Sequence, residues 1–390
     1  MFFCTVSDIG GYLQINGAVK DMNEDFLKVK LEQRNAANSL RDLRVSEGLI
    51  DFCSNDYLGI ATNNLVADRI ANHTVSSRRY GSTGSRLLSG NYRLIEEAEK
   101  TIATFHQAEA GLIFGSGYEA NIGLLSAVPQ RGDTVIYDYL CHASIRDGIR
   151  LSFAESTNFQ HNDLNDLEQK LKKARGNIFV VSESVFSMDG DIAPVGEVIA
   201  LCNRYQAHLV IDEAHSTGVV GERGEGLVAS LGLARSCFAR IHTFGKAVGC
   251  AGAIVVGSNT LRSYLINFSR SFIYTTAMPF ASTETILAAY DIFPGMQQER
   301  ATLKRLIEGF SSLQLPFEKL KSDTCIQGIV VPGADNVKAV ARQIQDAGFD
   351  VRPILYPTVP KGTERLRIVL HSFNTIEQLE RLATVLASIA

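Results

Sequence analysis

The chain has 390 residues, 45% of them hydrophobic and 21% charged, with a formal net charge of −4 at neutral pH. That balance suits a globular protein with one large core and a smaller second domain, and it offers no general attraction to nucleic acid or to an anionic membrane surface. No apolar run approaches the roughly 18 residues of a membrane span, the N-terminal MFFCTVSDIGG lacks a basic leader region, and the seven cysteines are scattered without a CxxC pair. A cytoplasmic protein with reduced thiols is expected, with no nucleic-acid or membrane partner.

Residues 1–21 carry little pattern and read as a flexible extension. An amphipathic stretch, EDFLKVKLEQRNAANSLRDL, follows Met22, so residues 1–50 are taken as an extension with a helical arm. The run RRYGSTGSRLLSGN, 78 to 91, reads as a surface loop. From about residue 94 the chain alternates: helix LIEEAEKTIATFH, strand GLIF, a helix from Glu119, strand TVIY, and a helix from Ala143 to Leu151. Helix LNDLEQKLKKA, strand NIFVVS, helix VGEVIALCNRY and strands HLVID, IHTF and GAIVV follow. This predicts an α/β fold, a mostly parallel sheet sandwiched by helices in a large domain over 51–285. Beyond it, helix QERATLKRLIEGF, strand IQGIVV, helix NVKAVARQIQDA, strand RLRIVL and helix TIEQLERLATVLASI predict a smaller α+β domain over 286–390.

Ligands of such sheets bind at the carboxyl ends of the strands, and there the chain places GSGYE, Glu183, Asp212 with His215, and Lys246. Lys246 lies in IHTFGKAVG, 34 positions after Asp212. A lysine that forms a Schiff base with an aldehyde cofactor needs a partner that keeps the cofactor's pyridine nitrogen protonated. A strand-end aspartate supplies one, so the pair points to pyridoxal 5'-phosphate. Thr243 offers a hydroxyl to a phosphate, Gly245 and Gly249 allow close backbone approach, and burial would favour the neutral amine. Arg367 shares a strand face with Arg365, which suits either a solvated edge or a fork for a substrate carboxylate.

Two rival readings use the same residues. GSGYEA, Gly115 to Ala120, matches the glycine-rich dinucleotide fingerprint, and Asp138 lies 23 residues after Gly115, near the ribose-binding spacing of an NAD(P)-dependent oxidoreductase. A glycine-rich turn opening a helix offers its N–H groups to any phosphate, however, and a plain tight turn needs no ligand at all. The letters DEAH at 212–215 match a helicase box, but the chain has no GKS or GKT to go with them.

Ten motifs in order, FCSNDYLGIA, GSTGSRLLSGN, GSGYEAN, CHASIRDG, HNDLNDL, ESVFSMDGDIAPV, IDEAHSTGVVGERGEG, HTFGKAVG, FIYTTAMP and YPTVPKGTERLRI, resemble the α-oxoamine synthases from about residue 25 onward. These are fold-type I pyridoxal-phosphate enzymes that condense an amino acid with an acyl thioester. The resemblance implies that Lys246 carries the cofactor, Asp212 pairs with its ring nitrogen, His215 and Ser187 contact it, and His142 stacks on the ring. It also implies that Gly117, Tyr118 and Thr243 hold the phosphate, with Thr275 reaching it from the second subunit of a homodimer. Asn55 and Arg367 would fix the amino-acid carboxylate, His142 would also contact substrate, and Arg41 and Thr358 match acyl-substrate positions. GSRLLSG, HNDL and PTVPKGTERLR look most like the branch that joins L-alanine to a pimeloyl thioester in biotin biosynthesis. The glycine C-acetyltransferase and 5-aminolevulinate branches differ in the GSTGSRLLSGN loop. Leu355 and Tyr356 stand where the pimeloyl branch often has an arginine and a second proline, which leaves a longer or less polar acyl group, or another amino acid, open. A catalytically silent scaffold would be expected to have lost the lysine.

Overall fold

A seven-stranded sheet, built mostly from short apolar runs, contains β1 (Ala110–Phe114), β2 (Thr134–Asp138), β3 (Glu155–Phe159), β4 (Ile178–Glu183), β5 (His208–Asp212), β6 (Ala239–Thr243) and β7 (Ala253–Gly257). The computed structural model describes residues 23–43, 45–71 and 81–389. The extension expected over 1–21 and the first three residues of the 78–91 loop lie outside the described residues.

The strand order is β1-β7-β6-β5-β4-β2-β3. β2 to β6 run parallel, and β7 is antiparallel to both β1 and β6. Side chains alternate between the two faces with period two. Val135, Val181 and Val210 pack in one apolar layer with Ile145 and Ile149, while Ile136, Val180 and Ile211 pack in the other with Val198 and Ile199. Fully burying each such side chain stabilises the fold by about 1.5–3 kcal/mol. Two covered faces explain why β4 and β5 read as continuous apolar runs.

β3 had no such signature. Its sequence ESTNF is polar and partly exposed because it is the sheet's edge, paired only with β2. The helix expected from Glu119 begins two residues earlier, at Gly117, because Ser116 caps it by accepting from the Glu119 N–H.

A four-stranded antiparallel sheet follows, formed by β8 (Glu318–Lys319), β9 (Ile326–Val330), β10 (Arg352–Ile354) and β11 (Arg365–Val369) in the order β10-β11-β9-β8. Helices Gln297–Ser312, Ala334–Asp346 and Ile376–Ile389 bury Leu306, Phe310, Val337, Ile344, Leu382 and Leu386 in its core. Ile50 and Asp51 pair in parallel with Phe349 and Asp350, and the Val369 N–H donates to Phe52 O at 2.9 Å. These bonds bring the SNDYLG segment alongside β11 and set Asn55 next to Arg367.

Residues up to Val45 form a separate compact unit from Ser46–Ala390. Its helix, Asp25–Ala36, has Asp25 in the first turn and Arg34 in the last, matching the helix dipole, and none of its residues is buried. Arg41 lies beyond that helix, exposed. Among the described residues no helix is long and apolar enough to cross a membrane.

Candidate active site

The parallel register sets Glu183 at the end of β4 beside Asp212 at the end of β5, and β6 ends next to them at Thr243. These strand ends floor a cleft of about 590 Å³. Asn55, Gly117, Tyr118, His142, Ser187, Asp212, His215, Thr243, Lys246 and Arg367 all line it. Thr275 and Thr358 do not: Thr275 is half-buried after helix Arg270–Ile273, and Thr358 is exposed on the turn after β10. A larger crevice of about 790 Å³ opens at the opposite end of β6, between Gln107, Arg235 and Ser258, and contains none of these groups.

Lys246 keeps part of its surface open to the cleft while the surrounding protein encloses its amine. This desolvation lowers its pKa, against the opposing charges of Asp212 and Glu183. Its Nζ reaches Thr243 Oγ1 at 3.4 Å. Asp212 is 5% exposed; its Oδ2 accepts from Asn121 Nδ2 at 2.8 Å and its Oδ1 from the Ala214 N–H at 2.9 Å. The carboxylate is therefore held rigidly beside the cleft.

His142 faces the cleft and is desolvated by its neighbours, which lowers its pKa and leaves the imidazole neutral near pH 7. The hydrogen bonds fix its tautomer. Ser144 Oγ accepts from Asn121 Nδ2 at 3.0 Å and lies 2.8 Å from His142 Nδ1, and the Ser144 N–H also points at that nitrogen from 3.2 Å. Nδ1 is thus an acceptor and the proton sits on Nε2. Burial lowers the pKa of His215 strongly, with Lys246 and Arg367 adding to the effect. Its Nδ1 lies 2.6 Å from the Tyr57 hydroxyl, which donates to Asn55 Oδ1 at 3.1 Å.

Arg367 donates from Nη2 to Asn55 Oδ1 at 2.9 Å and from Nε to Ser187 O at 2.7 Å. Its strand is buried throughout, which removes the solvated-edge alternative. Arg365, on the same strand, is instead paired with Asp189. Both arginines hold the loop of Ser187 and Asp189, and of the two only Arg367 also lines the cleft.

The N-terminus of helix Gly117–Ala127 supplies backbone N–H groups for an anion, and a Cβ at Gly117 would lie 2.5 Å from Thr243 Cγ2, so only glycine leaves the approach open. The Tyr118 hydroxyl donates to Asp147 Oδ2 at 2.6 Å, which ties its ring to the rim. Anion donors, a fixed carboxylate, a desolvated amine and an exposed imidazole converge on one space, and together they fit the cofactor.

The dinucleotide reading fares worse. Asp138 is fully buried, and its carboxylate accepts from the Leu140 N–H, the Asn162 N–H and His161 Nδ1. It has no surface open to a ribose and does not line the cleft. Sequence reasoning passed over Asn121 and Tyr57 as site residues; Asn121 lies one helical turn after Gly117, a spacing that could have flagged it.

Residues 47–386 match the aminotransferase class I and II family. An 8-amino-7-oxononanoate synthase from Emericella nidulans is 38% identical across 93% of this chain and 95% of its own length. One from Lysinibacillus sphaericus is 36% identical across 94% and 95%. Among solved structures, the Sphingomonas wittichii serine palmitoyltransferase aligns with a TM-score of 0.86 at 27% identity, covering 95% of this chain and 98% of that one. An 8-amino-7-oxononanoate synthase from Francisella tularensis aligns with a TM-score of 0.73 at 27% identity, covering 88% and 98%. The chain therefore belongs to the aminotransferase class I and II family, as a pyridoxal-phosphate-dependent fold-type I enzyme of the α-oxoamine synthase type.

Proposed function

We propose that this protein condenses L-alanine with a pimeloyl thioester, carried by coenzyme A or a carrier protein, to give 8-amino-7-oxononanoate, CO2 and free thiol. The observation that carries this reading is the convergence of Lys246, Asp212, His142, His215 and Arg367 on one cleft, in a chain whose sequence relatives bear that enzyme's name. When bound, pyridoxal phosphate supplies an aldehyde carbon for an amine and a protonated ring that stores negative charge.

The residues divide the remaining work. Lys246 Nζ would hold the cofactor and would be the base that takes the proton from the substrate Cα. Asp212 holds the proton on the ring nitrogen. Gly117 and Tyr118 N–H groups and the Thr243 hydroxyl bind the phosphate, with Thr275 contributed across a homodimer interface. His142 would stack on the ring, His215 would contact its phenolic oxygen, and Ser187 would make a further cofactor contact. Asn55 and Arg367 orient the amino-acid carboxylate, while Arg41 and Thr358 contact the acyl substrate. A bond forms between the substrate Cα and the thioester carbonyl carbon, the C–S bond breaks to release thiol, and the amino-acid carboxylate leaves as CO2. The setting is cytoplasmic.

A second reading, a longer or less polar acyl group, follows from Leu355 and Tyr356 standing where the pimeloyl branch that the chain resembles often has an arginine and a second proline, with Tyr356 60% exposed on the turn before Thr358. Thiol and CO2 release across a panel of amino acids and acyl thioesters separates the two. Alanine with pimeloyl thioester should be fastest. A preference for long-chain acyl-CoA selects the second reading, and a preference for glycine with acetyl-CoA contradicts both.

A further inference from the structure

The strand pairing that sets Glu183 against Asp212 puts two carboxyl groups into the floor of one cleft, at 2% and 5% exposure. Two adjacent carboxylates in a poorly hydrated site repel each other, so the site favours one anion and one neutral acid. The hydrogen bonds are unequal. Asp212 accepts from Asn121 and from the Ala214 N–H, whereas Glu183 accepts, through Oε1 at 2.5 Å, from the backbone N–H of His142.

We propose that Glu183 is a positioning residue of the cofactor site: as a neutral acid it anchors the backbone of His142, and so the imidazole over the ring, and leaves Asp212 as the anion that faces the ring nitrogen. His142 is then held at two points, its backbone by Glu183 and its ring by Ser144. The proposal rests on the cofactor reading of the cleft.

The charged and titratable groups around Glu183 come from every element that meets it: Asp212 on β5, Asp138 on β2, Cys141 and His142 before helix Ala143–Leu151, and Lys246 after β6. Burial, reinforced by the Asp212 charge, pushes the Glu183 carboxyl up to about 8, against the His142 N–H and Lys246. That direction agrees with a pair that shares one proton, placed on Glu183 by the unequal hydrogen bonds.

The test compares wild type with E183Q and E183L as full-length proteins. Visible circular dichroism of bound pyridoxal phosphate and its dissociation constant are measured from pH 6 to 9.5, with far-ultraviolet dichroism as the folding control. E183Q keeps an acceptor without a charge. It should retain the wild-type dichroic band and cofactor affinity near pH 7. E183L leaves the His142 N–H unpaired and should alter the band and weaken cofactor binding by about tenfold or more. An E183Q as impaired as E183L near pH 7, or an E183L indistinguishable from wild type, overturns the proposal. If E183L does not fold, E183Q decides alone, since an altered band or weakened cofactor binding in it near pH 7 is equally contrary. Wild type that takes up no cofactor would instead overturn the reading of the cleft, and the proposal with it.

Discussion

Two clusters of carboxyl groups lie at the carboxyl ends of the same sheet, and only one of them is closed. In the first, His161 sits between Asp138 and Asp191, with Nδ1 2.9 Å from one and Nε2 2.8 Å from the other. Burial works against its charge, but bonds to the two carboxylates outweigh this and raise it to about 10. In the second, Asp212 and Glu183 flank Lys246, yet the amine pairs with neither and reaches only the Thr243 hydroxyl at 3.4 Å. Charges that neutralise one another brace a fold. Charges held apart around a space await a ligand.

The largest expected effect falls on the open cluster. Lys246→Ala should lower turnover about a thousandfold or more, since both cofactor attachment and proton transfer are lost, while a thermal melt of the apo protein stays close to wild type. A variant that keeps even a tenth of wild-type turnover would contradict the role given to the amine. Asp212→Asn keeps the shape and loses the charge; steady-state kinetics should show about a hundredfold loss of kcat without unfolding. Intact kcat in this variant would mean that the ring proton is held elsewhere.

The closed cluster should respond in the opposite way. His161→Ala should cost about 2 kcal/mol of stability in urea unfolding of the apo protein, by stripping charge-assisted bonds from two carboxylates. Because the folded-state pKa of His161 is raised, its stabilisation is fully present below about pH 6.5 and is lost as pH rises through about 10. An unfolding midpoint unmoved by the substitution would show the clamp to be unimportant. The smallest effect separates the two arginines of β11. Arg367→Lys should raise KM for the amino acid about tenfold by losing the planar fork, and Arg365→Lys, whose ammonium still faces Asp189, should raise it less. Equal shifts in KM would erase the distinction.

Much of this arrangement is legible in the sequence because the strands carrying it are buried on both faces. Apolar runs lead into Glu183 and Asp212, so those chemistry-bearing residues stand out against Val, Ile and Leu. What sequence cannot supply is pairing across the chain. That Glu183 lies beside Asp212 depends on the register of two strands separated by a helix. That Arg365 is spent on Asp189 while Arg367 faces the cleft depends on a loop more than 170 residues earlier, and alternation alone treats the two alike. The polar edge strand ESTNF went unread because strand signals are signals of burial.

The most direct test of the account is chemical. After incubation with pyridoxal phosphate and reduction with borohydride, peptide mass mapping should find the pyridoxyl group on Lys246 and nowhere else at stoichiometric yield, and Asp212→Asn should leave that site of attachment unchanged. A reduced protein without the label, or with it distributed over surface lysines, would contradict the claim that this cleft is built around the cofactor.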